Sequence, residues 1–130
     1  MARKPSTRVV VNRSVVSAVR LTLADRMLRF AEAIVARADP PDAPPYGVGL
    51  VKSGTAGAWV DGKKVGGNAL GRAPRTGAGI MGKAGFGNKA APYARYVELG
   101  TINNQPQPFL GPAAEAEMRN VREHFRGPLP

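Results

Sequence analysis

The side chains able to do chemistry are few in this sequence and poorly placed for it. The only histidine, His124, stands among Arg122, Glu123 and Arg126, as expected of a surface position or the last turn of a helix. There is no cysteine, which removes disulfides, thiol nucleophiles and Cys-ligated metals. A Ser-His-Asp arrangement or a catalytic metal would have to recruit that one imidazole, and no nucleophile elbow is present. Glu115 and Glu117 face different sides of any helix that carries them, so they do not pair for acid–base work. Gly77-Ala78-Gly79 and Gly85-Phe86-Gly87 have the Gly-x-Gly form of a phosphate loop, but no Gly-Lys-Ser/Thr follows. No catalytic, cofactor or metal site is expected. The acid that stands out is Glu98, between Tyr96 and Gly100 in basic surroundings. Its expected role is structural: to accept hydrogen bonds from nearby backbone, or from an arginine such as Arg95 or a neighbour's, fixing the turn at Gly100.

The elements around Glu98 are legible from residue types. Pro92 can open a short helix, and Tyr93, Tyr96, Val97 and Leu99 would give it an apolar side. Gly100 can end it in a left-handed conformation. Thr101 to Gln105 reads as a polar turn. Pro106 and Pro108 keep the chain extended up to the apolar anchor Phe109-Leu110, and Pro112 suits the first position of a closing helix.

This run carries a resemblance. Tyr93, Ala94, Tyr96, Val97, Glu98, Gly100 and Thr101, followed after a polar gap by Gln107, Pro108, Phe109, Leu110, Pro112 and Ala113, resemble the signature of tailed-bacteriophage head–tail joining proteins. These are the neck, tail-completion or minor tail protein Z-like proteins. Pro45, Gly49, Leu50 and Ser53 match part of a second family segment, from which an Asp-Thr pair is missing here. The resemblance implies a structural virion protein, made in the bacterial cytoplasm and built into the neck. There it would form a homo-oligomeric ring, of six- or twelve-fold symmetry, around the DNA channel. Its implied partners are portal- or adaptor-side connector proteins and tail terminator or tail-tube proteins. Tyr93, Tyr96, Glu98, Gly100, Phe109 and Leu110 would hold the fold or the subunit seam.

At 130 residues the chain is expected to form one domain, residues 1–130. Its 16 glycines and 12 prolines predict long irregular segments. No apolar run is long enough to span a membrane. The net charge of +10 is uneven: between Ala43 and Val97 there are eight Lys or Arg against one acid, Asp61. Such a field attracts polyanions without sequence specificity, and it equally serves solubility or pairing with acidic neighbours. Arg3, Lys4 and Arg8, in a basic arm over residues 1–12, and Arg72, Arg75, Lys83 and Lys89 are the expected contacts to DNA or to acidic partner rings. The alternative reading is a small basic nucleic-acid-binding protein, although its basic segments lack interleaved aromatics for base stacking.

Periodicity supplies the scaffold. Val16, Val19, Leu23, Met27, Phe30 and Ile34 recur at steps of three and four, predicting a helix from about Ser14, as N-cap, to Ala38. Asp39-Pro40-Pro41 ends it. Its apolar stripe is expected to lie on the protein's own sheet, with a helix–helix subunit contact as the alternative. Ala58-Trp59-Val60 followed by Asp61-Gly62 predicts a strand and a tight hairpin, with Trp59 in the core or, as the alternative, anchoring a subunit interface. Residues 65–89 read as a flexible Gly-rich loop bordering a strand near Ile80-Met81 and Phe86. A last helix over Pro112–Phe125 is expected to bury Ala114, Met118, Val121 and Phe125. The resulting fold class is α+β: a long N-terminal helix and a C-terminal helix packed on a small, mainly antiparallel sheet.

Overall fold

The long amphipathic helix expected from the apolar repeat forms the spine of the protein. The computed structural model describes residues 12–41, 47–69, 71–75, 77–89 and 91–130. Among these, the chain order is α1 (Arg13–Arg37), α2 (Gly47–Lys52), β1 (Thr55–Val60), β2 (Lys63–Gly67) and β3 (Ile80–Gly85). Then come α3 (Ala94–Leu99), α4 (Leu110–Met118) and α5 (Val121–Phe125). The fold is α+β: α1 packs on an antiparallel sheet of order β2-β1-β3 and against α4 and α5.

Asn12, rather than Ser14, caps α1. Its carboxamide oxygen accepts hydrogen bonds from the Ser14 and Val15 N–H groups at 3.0 and 3.3 Å, satisfying donors that the first turn leaves without partners. The expected stripe is buried from Ala24 onward, at Ala24, Phe30, Ala31 and Ile34. Toward the N-terminus it runs out of sheet to cover, and Val15, Val16 and Leu21 are exposed. Close approach of α1 to the sheet depends on small strand residues. A Cβ at Gly82 would lie 2.5 Å from Met27 Cγ, so only glycine leaves room there.

Val60 pairs directly with Lys63 across the two-residue turn Asp61-Gly62, whose φ angles of 50° and 82° are those of the primed hairpin turn. Trp59 is 1% exposed, as expected of a core residue. It lies on the sheet face turned away from α1, the face that also carries Gly57 and, by register, Lys83. The range 65–89 is therefore not one loop. Its first residues complete β2 and its later ones form β3, leaving 68–79 as the connection.

The C-terminus departs from expectation in two ways. The predicted helix Pro112–Phe125 begins earlier, at Leu110, with Pro112 third in its first turn, and it breaks at Arg119-Asn120 into α4 and α5. Of the residues expected to face inward, Ala114, Val121 and Phe125 pack against Phe30, Ile34 and Ala113, whereas Met118 is exposed and the buried Ala113 and Glu117 lead the inward face. The break and the inward position of Glu117 have one cause. Glu117 Oε1 lies 2.6 Å from His124 Nε2, whereas seven residues of unbroken helix would separate them by about 10 Å along the axis. The break folds α5 back so that His124 and Phe125 meet Phe30 edge-on, with ring centroids 5.2 and 6.4 Å apart. His124 therefore stands in the last turn of a helix, the second of the two positions expected for it, and is packed and partly buried there rather than lying on the surface. Arg26 of α1 locks the end of the chain by donating to the carbonyls of Phe125, Gly127 and Pro128 at 2.9–3.3 Å.

Candidate functional site

The signature residues fold into one clasp at the C-terminal end of α1. α3 buries Ala94 and Val97 against Leu50, Ala91 and Phe109, with Tyr93 half-buried at its N-terminus. The chain leaves α3 through Gly100, whose φ of 76° and ψ of 170° suit glycine alone. This is an extended exit with positive φ rather than the left-handed helical cap expected. A Cβ here would fall 2.8 Å from Pro106 Cδ, so the glycine also lets the proline close the turn. Thr101 and Asn104 exchange backbone hydrogen bonds, and the Gln107 N–H donates to the Val97 carbonyl at 2.8 Å. Phe109 then enters the core and meets Phe86 edge-on at 5.0 Å.

Glu98 binds this loop to α4. Its Oε2 accepts from the Phe109 and Leu110 N–H groups at 2.7 and 3.0 Å, and its Oε1 accepts from Gly111 N–H at 2.8 Å. The carboxylate therefore caps the start of α4 across the clasp, where charge and helix dipole are complementary. Burial works against its ionisation, but the three backbone donors outweigh it and hold the carboxyl below the ordinary carboxylate range. Backbone acceptance was expected of Glu98. Its target is the α4 N-terminus rather than the Gly100 turn, and Arg95 is not among its partners.

A second segment, around Leu50 and Ser53, supports the clasp from below. Leu50 on α2 is fully buried, and the buried Ser53 hydroxyl donates to the Leu50 carbonyl at 2.6 Å. The same hydroxyl accepts from Gly87 N–H at 2.9 Å, placing Phe86 under Phe109. Leu110 bridges the two apolar clusters of the molecule, one around Phe109 and one around Phe30.

On its outer side the clasp presents apolar groups to solvent. Tyr96 is 59% exposed, Leu99 66% and Ile102 fully so. Tyr96 and Leu99 are one turn apart on α3, and Ile102 follows in the turn read as polar. Tyr96 therefore does not anchor the fold. Its ring stands clear because Ala94 and Val97 supply the inward face of so short a helix. Beside them runs a cleft of about 260 Å³ lined by Phe86, Leu99, Phe109 and Leu110.

The predicted basic residues divide. Arg72, Arg75, Lys83 and Lys89 are exposed, with Lys83 on the Trp59 face of β3. Arg3, Lys4 and Arg8 lie outside the described residues. Sequence reasoning missed an ionic knot around the buried Glu117. Glu117 accepts from Arg37 Nε at 2.7 Å and contacts His124, tying α1, α4 and α5 together. The hydrogen bond with His124, then that from Arg37, keeps the Glu117 carboxyl below its ordinary value. No sequence signal marks it, because the partners are separated by many residues. Among the described residues no group of three or more His, Cys, Asp or Glu could hold a metal ion, and no helix is long and apolar enough to cross a membrane.

Searches of protein-family models, of curated proteins and of solved structures return no match to this chain.

Proposed function

We propose that this protein is a structural component of a tailed-phage neck, forming a ring that joins or completes the tail at the head–tail connector. The observation that carries the reading is the clasp itself. The residues that resemble the joining-protein signature divide between holding a braced loop and presenting Tyr96 beside Leu99 and Ile102 in solvent. A braced loop with exposed aliphatic and aromatic groups is suited to protein–protein docking, where a few buried anchors dominate the energy.

A second exposed apolar group favours a ring in particular. Val15, Val16 and Leu21 lie toward the N-terminal end of α1, while the clasp packs near Ala38 beyond its other end. About 20 helical residues between them correspond to roughly 30 Å. Exposed apolar residues at both ends of the molecule suit a head-to-tail contact, and repeated head-to-tail contacts close into rings when the rotation between copies closes.

The deciding experiment is electron microscopy of a lysate from a phage carrying an early stop codon in this gene. DNA-filled heads beside unattached tails are the expected result. Tails of abnormal length would move the role toward tail termination, and intact infectious virions would refute the proposal. Ile102→Asp tests the docking face: the purified protein should fold as the wild type and fail to assemble.

A further inference from the structure

The ion pairs divide the molecule into two electrostatic layers. In the helical layer acids are numerous and four of them are engaged: Asp25 with Arg29, Glu117 with Arg37 and His124, Glu123 with Arg126, and Glu98 with the start of α4. Glu32, Asp39 and Glu115 form no ion pair among the described residues. The sheet and its connections are different. From residue 47 to residue 89 there is one acid, Asp61, and it is already consumed. Its carboxylate accepts from Arg20 at 2.6 Å and from the Gly79 N–H at 2.8 Å. Among the described residues, Lys64, Arg72, Arg75, Lys83 and Lys89 make no ion pair.

Strand register gathers these cations on one side. Lys64 pairs with Trp59 and Lys83 with Gly57, so both lie on the face turned away from α1. The Lys64 ammonium donates to the Ala69 carbonyl at 2.6 Å, and Ala69 packs over Gly57. The segment bearing Arg72 and Arg75 therefore starts on this face, and it ends at the hairpin turn through the Gly79–Asp61 bonds. At the other end of the face, a cleft of about 240 Å³ opens between Thr55, Lys83 and Asn88, with Lys89 next in the chain.

We infer that this Trp59 face of the sheet binds the phosphate backbone of duplex DNA. Its composition separates a polyanion from a protein partner. Trp59 is buried, and the large apolar residues exposed elsewhere lie on α1, α2, the clasp, α4 and the C-terminus, or on β2 at Val65. Val65 borders a hollow with Leu21 and Leu28 of α1, so it belongs to the opposite side. A protein interface draws its energy from large aromatic and aliphatic anchors. Among the described residues of this face the large apolar side chains are the buried Trp59 and the partly buried Met81 and Phe86, none of them exposed. Phosphate binding needs only unneutralised cations, and releases counterions in proportion to the contacts made. The glycines of the connection, Gly71, Gly77 and Gly79, stand in open space and keep bulk away from an approaching backbone. With no exposed aromatic among the described residues of this face to stack on bases, the binding is to backbone and indifferent to sequence.

The inference rests on the neck reading for the source of the duplex, but its test does not. Purified full-length protein is titrated against a labelled 30-bp duplex at several salt concentrations. The wild type is compared with Arg72→Gln/Arg75→Gln/Lys83→Gln and with a control triple of equal charge from the helical layer, Arg29→Gln/Arg119→Gln/Arg122→Gln. The sheet-face triple should flatten the salt dependence by about 2–3 in log–log slope and weaken binding at least tenfold at about 0.1 M salt. The control should change binding less than about threefold. Equal losses in the two triples would reduce the effect to net charge and overturn the site, as would wild-type binding by the sheet-face triple. Displacement of the duplex by polyglutamate at equal charge concentration would assign the face to an acidic protein instead, again overturning the inference. The neck role is judged on the stop-codon lysate, which involves none of these side chains, so the two can fail separately.

Discussion

Glu98 offers the sharpest test of how the clasp is held. In Glu98→Ala the N–H groups of Phe109, Leu110 and Gly111 all lose their acceptor. The Gly111 bond is exposed, so water replaces it at little cost, while the Phe109 and Leu110 bonds are half-buried. Hydrogen bonds to a charged group contribute about 1.5–3 kcal/mol each when water cannot replace them, so two at the lower end predict a loss of about 3 kcal/mol. Glu98→Gln keeps one carbonyl oxygen for those two donors and gives up the charge at the helix start, for a loss of about 1 kcal/mol. For a chain of this size 1 kcal/mol corresponds to roughly 3–5 °C in Tm, so the alanine variant should melt about 10 °C lower. The pH dependence provides an internal check. The folded pKa of Glu98 is lowered, so its ionised form contributes stability that is fully present above the ordinary value of 4.5. That contribution is lost as pH falls through the folded value. Urea unfolding of wild type and Glu98→Gln should therefore show a gap at pH 7 that narrows below about pH 4.5. Two variants within about 0.5 kcal/mol of wild type, or a gap unchanged down to pH 3, would refute the clamp.

Phe109→Ala removes a buried ring and its edge-on contact with Phe86; it should cost about 3–5 kcal/mol in urea unfolding and abolish assembly, and virions of normal yield would contradict this. Glu117→Gln should cost about 1–2 kcal/mol at pH 7 by weakening the bonds to His124 and Arg37. Because the Glu117 carboxyl is also held below its ordinary value, the difference from wild type should be largest above that value and shrink as the pH drops through the folded one. Gly82→Ala should destabilise by about 1–3 kcal/mol through overpacking on Met27, whereas Gly85→Ala, which meets nothing within 4 Å, should be neutral or slightly stabilising in thermal melts.

Local regularities were the part that could be read without coordinates. The three-and-four spacing from Val16 to Ile34 specifies an amphipathic helix, Asp61-Gly62 a primed turn, Asp39-Pro40 a stop, and Gly100 a positive φ. Each depends on residues within a turn or two of one another, so the chain states it directly. Even Glu98 was legible as a backbone acceptor, because an acid inside a basic apolar stretch must be compensated nearby. What it accepts from was not legible, since Phe109 to Gly111 become its donors only after the loop has turned back. The same limit hid the Glu117–Arg37–His124 knot and the Arg26 lock, whose partners lie as far as 102 positions apart in the chain. It also hid the break in the last helix, where propensity favoured continuity and packing on Phe30 prevailed. The face of Trp59 and the gathering of Lys64 and Lys83 beside it follow from strand register, which the sequence leaves open until β1 lies between its two neighbours. Composition alone determined that the protein is strongly basic and free of cysteine. Tertiary structure decided which charges cancel and which remain, because an ion pair depends on distance in space and composition carries none.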